Sequence, residues 1–173
     1  LSEVLARYWG YTSFRPLQRE AMDAVVSGRD SVVVMPTGGG KSLCFQAPAL
    51  VRDGLAVVVS PLISLMKDQV DKLADRGLEA ASMNSTLTAR EETSHLERIA
   101  DSGHEFVLTT PERLSTEAFR DTLRQTTIDL VVHRHVAVDD GLFHLSPGIE
   151  EAGEFHELPE ADAVAADRQD SGR

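Results

Sequence analysis

The chain has 173 residues, 28 acidic against 17 basic side chains, a formal net charge of −11 and a single cysteine, Cys44. That length suits one domain with a proper core. One cysteine excludes an internal disulfide framework and fits a reducing compartment, and no run of ~18 apolar residues is present to span a bilayer.

The opening LSEVLARYWG lacks the basic-then-apolar build of a secretion signal, so a cytoplasmic location and no membrane partner are expected. The charge is unevenly spread. Residues 1–132 carry 18 acids and 14 Lys plus Arg, a net of −4, whereas 133–173 carry 10 acids and three arginines, a net of −7. Lysine occurs only at Lys41, Lys67 and Lys72, a weak compositional hint of a salt-loving source.

In chain order, PLQREAMDAVVSGRD reads as a helix opening with Pro16, a residue tolerated in a first turn, and stopping near Gly28. SVVVM (31–35) reads as a buried strand, as do LAVVVS (55–60), EFVLTT (105–110) and IDLVV (128–132), with AASM (80–83) a weaker fifth. Between them, PLISLMKDQVDKLADRG places Leu62, Leu65, Met66, Val70 and Leu73 on one helical face. LTAREETSHLERIADSG and PERLSTEAFRDTLRQ complete the helical set. Buried strands alternating with amphipathic helices predict an α/β fold with a mainly parallel sheet over residues 1–132. Residues 133–173 show no sustained period and cluster Gly, Pro, Asp and Glu, so an acidic, mostly irregular or disordered tail is expected there. Its histidines, at 133, 135, 144 and 156, match no familiar metal-ligand spacing.

The stretch VVVMPTGGGKSLC (32–44) carries the chemistry. Glycine-rich backbone leaving a strand and entering a helix can curl around a phosphate, pointing N–H groups and the positive helix end at it. In that arrangement Thr37, Gly38, Gly39 and Gly40 form the cradle, Lys41 reaches the β and γ phosphates, and the Ser42 hydroxyl ligates Mg²⁺. Gly40, Lys41 and Ser42 match the strict G-x-x-x-x-G-K-[ST] spacing, while Met35 stands where the first glycine belongs. Cys44 follows on the helix and reads as a small core residue, since no basic partner for a reactive thiol is found.

This Met-Pro-Thr-Gly-Gly-Gly-Lys-Ser variant resembles the first motif of superfamily 2 helicases and, within them, of the RecQ family of DNA helicases. GYTSFRPLQREAM (10–22) looks like that family's adenine-gripping motif, which implies roles for Tyr11, Arg15 and Gln18; a glutamine offers both a donor and an acceptor to the base edge. VVVSPLISLMKDQVDKL (57–73) looks like motif Ia and LTTPERL (108–114) like motif Ib, both of which meet the DNA backbone in such enzymes. The residues carried over are Ser60, Pro61, Lys67, Thr109 and Thr110. Hydroxyls and N–H groups at strand ends can bond phosphates without reading sequence, as a motor needs, with an affinity that falls with salt. Taken singly, these stretches also read as ordinary helix starts. Four of them in order imply a RecA-like P-loop lobe that uses ATP and Mg²⁺ and contacts DNA single strands and duplex junctions. A second RecA-like lobe would be required for 3′ to 5′ unwinding.

The expected Asp-Glu-Ala-His box is not found directly after IDLVV, where His133, Arg134, His135 and Val136 stand. Asp139 and Asp140 are a stand-in, but Asp-Asp-Gly favours a turn, aspartate is one methylene shorter than glutamate, and five extra residues must be absorbed. The lobe is therefore expected to be incomplete at its C-terminal side, with residues 133–173 as non-native sequence from a truncated or frame-shifted gene. Such a chain would bind ATP and DNA without unwinding. The alternatives are a non-catalytic ATP-binding module working with a separate second-lobe partner, and a product without function whose last strand leaves an exposed edge.

Overall fold

Apolar, β-branched runs bounded by glycine and proline have little choice but to be strands, and they are. β1 (Ser31–Met35), β2 (Leu55–Val59), β3 (Ala80–Met83) and β4 (Phe106–Thr109) match the expected spans to within a residue at each end, and β5 (Ile128–His135) continues three residues past Val132. The computed structural model describes residues 1–36, 38–52, 54–135, 141–147 and 163–164.

The helices are α1 (Ser2–Trp9), α2 (Gln18–Val26), α3 (Leu43–Ala49), α4 (Ile63–Ala74), α5 (Ala89–Ala100), α6 (Pro111–Leu114) and α7 (Glu117–Arg124). α1 has no counterpart in the sequence reading; it buries Leu5 and stops at Gly10 in the left-handed region. α2 starts at Gln18 instead of Pro16 because Leu17 itself adopts a left-handed φ of 68°. PERLSTEAFRDTLRQ divides in two: Thr116 is extended, and its hydroxyl bonds the Arg113 carbonyl at 2.8 Å. α5 opens on a reciprocal capping box between Thr88 and Glu91. Among the described residues no helix is long and apolar enough to cross a membrane.

Two further strands, β6 (Gly141–Pro147) and β7 (Ala163–Val164), complete a sheet of order β3-β4-β2-β5-β6-β1-β7. β6 runs antiparallel to both β5 and β1, so β1 points the same way as β5, and β2, β3 and β4 are parallel to that direction. These strands lie inside 133–173, where mostly irregular backbone was expected, and β6 covers the β5 edge that the alternative of a product without function would leave exposed. GLFHLSP is too short, and too closely flanked by turn residues, for its period to register in the sequence. Pairing on both sides and the fully buried Leu145 hold it.

Alternate residues of each strand feed two cores, one per face. Ala56 and Val58 of β2, Phe106 and Leu108 of β4, and Leu130 and Val132 of β5 join Leu5, Met22, Val25, Phe45, Met66 and Leu73 from α1 to α4. Leu55, Val57, Val59, Val107 and Val131 join Ile99, Phe119 and Leu123 from α5 and α7. Helices on both faces explain why the strands read as unbroken apolar runs. β1 to β5 all deliver their carboxyl ends to one edge of the sheet, where open α/β folds bind ligands.

Candidate functional site

β1 ends at Met35, and the chain turns back through the glycines before α3 begins. Gly38 and Gly40 take φ of 80° and 82°, a region closed to most side chains, and the Gly39 N–H closes the turn on the Pro36 carbonyl at 2.9 Å. A Cβ on Gly39 would lie 2.9 Å from that carbonyl oxygen, and one on Gly40 would strike the Gln18 amide. These glycines are thus demanded by backbone conformation and by close approach together. Thr37 lies outside the described residues.

Gln18 and Arg15, some twenty residues earlier in the chain, are fastened to this loop. Gln18 Nε2 donates to the Gly40 carbonyl at 3.1 Å and more weakly to Gly39 at 3.5 Å, while its Oε1 accepts the Arg15 N–H at 2.9 Å. Arg15 Nη1 donates to the Gly38 carbonyl at 2.5 Å. Tyr11, Arg15, Gln18, Gly38, Gly40 and Ser42 consequently face one cleft of about 540 Å³, a size suited to a nucleotide-scale ligand. Tyr11 is 55% exposed, leaving its ring face open for stacking.

Inside the loop, Lys41 Nζ donates to the carbonyls of Met35 and Pro36 at 2.6 and 3.0 Å. The ammonium is thereby held at the root of the cradle. Ser42 stands at the N-cap of α3, and its hydroxyl accepts from Gln69 Nε2 at 2.9 Å; Gln69 Oε1 accepts from Gln46 Nε2, also at 2.9 Å. Cys44 is buried, and burial pushes its thiol up to about 12, which removes it from thiolate chemistry.

Sequence reasoning did not find the far wall of the cleft. Gln69, Lys72 and Arg76, spaced three and four apart along α4 and just beyond it, line it with Gln46 and Trp9. The spacing is a helical stripe, and it was legible; what hid it was the neighbouring apolar stripe of the same helix, which accounts for the segment without it.

The residues assigned to a DNA path separate into two groups. Pro61 and Thr110 share a second cleft of about 570 Å³ with Ile63, Ser85, Glu112, Arg113 and Thr116, and Lys67 is exposed on α4. Ser60, Thr109 and Thr110 are all buried, at 3%, 0% and 5% exposure, whereas Pro61, like Lys67, is exposed. The Ser60 hydroxyl accepts the Leu62 N–H at 3.3 Å and the Thr109 hydroxyl donates to the Thr110 carbonyl at 3.3 Å. The hydroxyls of these residues are therefore beneath the surface in this structure, and of the five residues assigned to the path only Pro61 and Lys67 are exposed. Thr110 itself caps α6, accepting the Arg113 N–H at 3.4 Å.

Asp139 and Asp140 lie outside the described residues. The residues on either side are described: His135, the last of β5, pairs with Leu142, and Gly141 pairs with Met35 at the root of the glycine loop.

A glycine cradle, a lysine within it and an upstream Arg–Gln pair locked to its carbonyls are joined here by a family match. The model of the DEAD/DEAH box helicases matches residues 15–140. The chain belongs to the DEAD/DEAH box helicase family. It is 44% identical over 130 residues to the ATP-dependent DNA helicase RecQ of Synechocystis sp., covering 75% of this chain and 27% of that protein. The RecQ helicase of Bacillus subtilis is 44% identical over 129 residues, 74% of this chain and 22% of its own length, and that of Haemophilus influenzae 46% identical over 116 residues, 67% and 19%. The chain thus spans about a quarter or less of the length of these relatives, and within the family its likeness is to RecQ helicases.

Proposed function

We propose that this chain is the nucleotide-binding motor lobe of a RecQ-type ATP-dependent DNA helicase, or a piece of one. The observation that carries the reading is the bonding of Arg15 and Gln18 to the Gly38 and Gly40 carbonyls, which builds the base-binding and phosphate-binding halves of the cleft as one unit. A loop that tolerates no Cβ at Gly39 or Gly40, followed by lysine and serine, fits a polyphosphate and its Mg²⁺. When bound, Mg-ATP supplies the phosphoanhydride bond whose hydrolysis powers strand separation.

In this reading Tyr11 stacks on the base, and Arg15 and Gln18 orient it. Thr37 and the three glycines hold the phosphates, the Gly39 N–H leaving the Pro36 carbonyl to do so, Lys41 exchanges its two carbonyl partners for phosphate oxygens, and Ser42 offers its hydroxyl to the cation. Pro61 and Lys67 lie on a sequence-independent DNA path, with Ser60, Thr109 and Thr110 supporting it from below. A second RecA-like lobe completes the unwinding machine.

The test is thermal. Saturation at about a hundredfold over the dissociation constant adds about 2.7 kcal/mol of stability, a rise of roughly 5–10 °C for a domain of this size. ATP with Mg²⁺ is expected to raise the melting temperature of the wild type by that amount and to leave Lys41→Ala unmoved. A wild type that does not respond to ATP overturns the reading.

A second reading concerns hydrolysis. Without an acid pair the lobe is a non-catalytic ATP-binding module, and the residues directly after Val132 offer no carboxylate. One observation favours the stand-in: β5 runs on to His135, absorbing three of the five extra residues that Asp139 and Asp140 require. Hydrolysis that collapses on Asp139→Asn supports that pair, and nucleotide binding without hydrolysis supports the non-catalytic module.

A further inference from the structure

We infer that Gln69 is a positioning residue for the Ser42 hydroxyl, bridging the nucleotide cleft to the helix that leads from the DNA rim. The inference rests on the nucleotide reading above and deepens it.

Gln69 lies on α4, and its amide spans one turn of α3: Nε2 donates to Ser42 Oγ and Oε1 accepts from Gln46 Nε2, both at 2.9 Å. Ser42 and Gln46 are stacked for this by the helix itself, since the Gln46 N–H bonds the Ser42 carbonyl at 3.0 Å. A serine hydroxyl has one hydrogen and two lone pairs, and rotates freely unless held. The Gln69 bond occupies one lone pair and stops the rotor, which leaves one lone pair to serve a cation. Gln46 in turn fixes which end of the Gln69 amide faces Ser42. Two residues of ordinary polar type, Gln46 and Gln69, thus set the orientation of a side chain through which this chain would meet Mg²⁺.

The bond also joins two elements. α4 begins at Ile63, three residues after Ser60, and carries Lys67 and Gln69 within one turn but on nearly opposite faces; Ser60 is held to β4 through its N–H on the Thr109 carbonyl at 2.8 Å. A change in what Ser42 Oγ accepts is therefore felt at Gln69, on the same rigid helix whose head forms the DNA-side rim. Sequence spacing does not suggest this pairing, because 27 residues separate the partners.

Two substitutions with opposite expected signs test it. Gln69→Leu keeps the bulk and removes both hydrogen bonds. Gln69→Glu keeps the acceptor for Gln46 but turns the group facing Ser42 into an acceptor, so that the hydroxyl donates to it and both serine lone pairs are released. Binding of ADP is measured by titration with Mg²⁺ and again with a chelator present. Gln69→Leu is expected to weaken Mg²⁺-dependent binding by about three- to tenfold, the effect of one neutral hydrogen bond, and to weaken metal-free ADP binding less. Gln69→Glu is expected to bind Mg-ADP at least as tightly as wild type. Equal losses with and without Mg²⁺ in both variants, or no change in either, overturn the positioning role while leaving the nucleotide reading intact. A wild type with no Mg²⁺-dependent nucleotide binding overturns both.

Discussion

At the scale of single residues, the glycine loop is where conformation and chemistry coincide. Gly40 has a φ of 82° and its missing side chain makes room for the Gln18 amide, so one position serves the backbone turn and the link to the base-binding half together. Gly40→Ala is expected to cost about 1–3 kcal/mol in urea unfolding, the range for a non-glycine residue forced into the left-handed region. Because the added methyl also displaces Gln18, the ATP-induced rise in melting temperature should shrink beyond what the stability loss explains. A variant that unfolds like wild type would show that the loop has another conformation open to it. The roles of Gly38 to Ser42 were legible in the sequence because phosphate binding uses contiguous backbone. Those of Gln46 and Gln69 were not, because an amide's partner across a helix–helix contact leaves no periodic trace.

Among the elements, α5 shows how far local rules reach. Thr88 accepts the Glu91 N–H at 3.3 Å while the Glu91 carboxylate accepts from the Thr88 hydroxyl at 2.7 Å and from its N–H at 2.8 Å, and those two donors, the hydroxyl first, hold the carboxylate below its usual range. This helix packs Ile99 into the core on the face away from α1 to α4, and its Glu92 pairs at 2.8 Å with Arg113 of the second cleft, away from the glycine loop. Thr88→Ala should lower stability by about 1 kcal/mol and the melting temperature by roughly 2–4 °C, with nucleotide binding unchanged in titration. The T-x-x-E pattern that predicts it is written in four consecutive residues. β6 is the opposite case. Its existence depends on two partners, β5 and β1, that are remote in sequence, and a seven-residue run among glycines and prolines cannot announce both.

For the whole molecule, the buried histidine pair links stability to pH. His104 is 6% exposed and neither ring nitrogen has a hydrogen-bond partner; it lies 5.7 Å, ring centre to ring centre, from His95. Burial first, then the nearby Arg98 guanidinium and His95, push its pKa down to about 4, with Glu79 opposing. The unfolded chain, with an ordinary histidine value near 6.5, therefore binds a proton over a range where the folded chain does not. The contribution to stability is complete above about pH 6.5 and is lost as pH falls from there toward about 4. Burial likewise lowers His95, adding in the same direction. Urea midpoints measured from pH 7 to pH 4 should fall, and the fall should be smaller in His104→Leu. An identical slope in that variant would assign the acid sensitivity to the carboxylates.

The sequence by itself determined the parallel strands, the helices between them, the glycine turn after β1 and the family, because each is encoded by local period, turn chemistry or contiguous motif. Only the tertiary structure decided that β6 enters the sheet between β5 and β1, that Arg15 and Gln18 are bonded to the glycine loop, that Ser60, Thr109 and Thr110 are buried, and that Gln69 holds the Ser42 hydroxyl. All four are contacts between residues far apart in the chain or matters of burial. They follow from how the layers pack and not from any one segment.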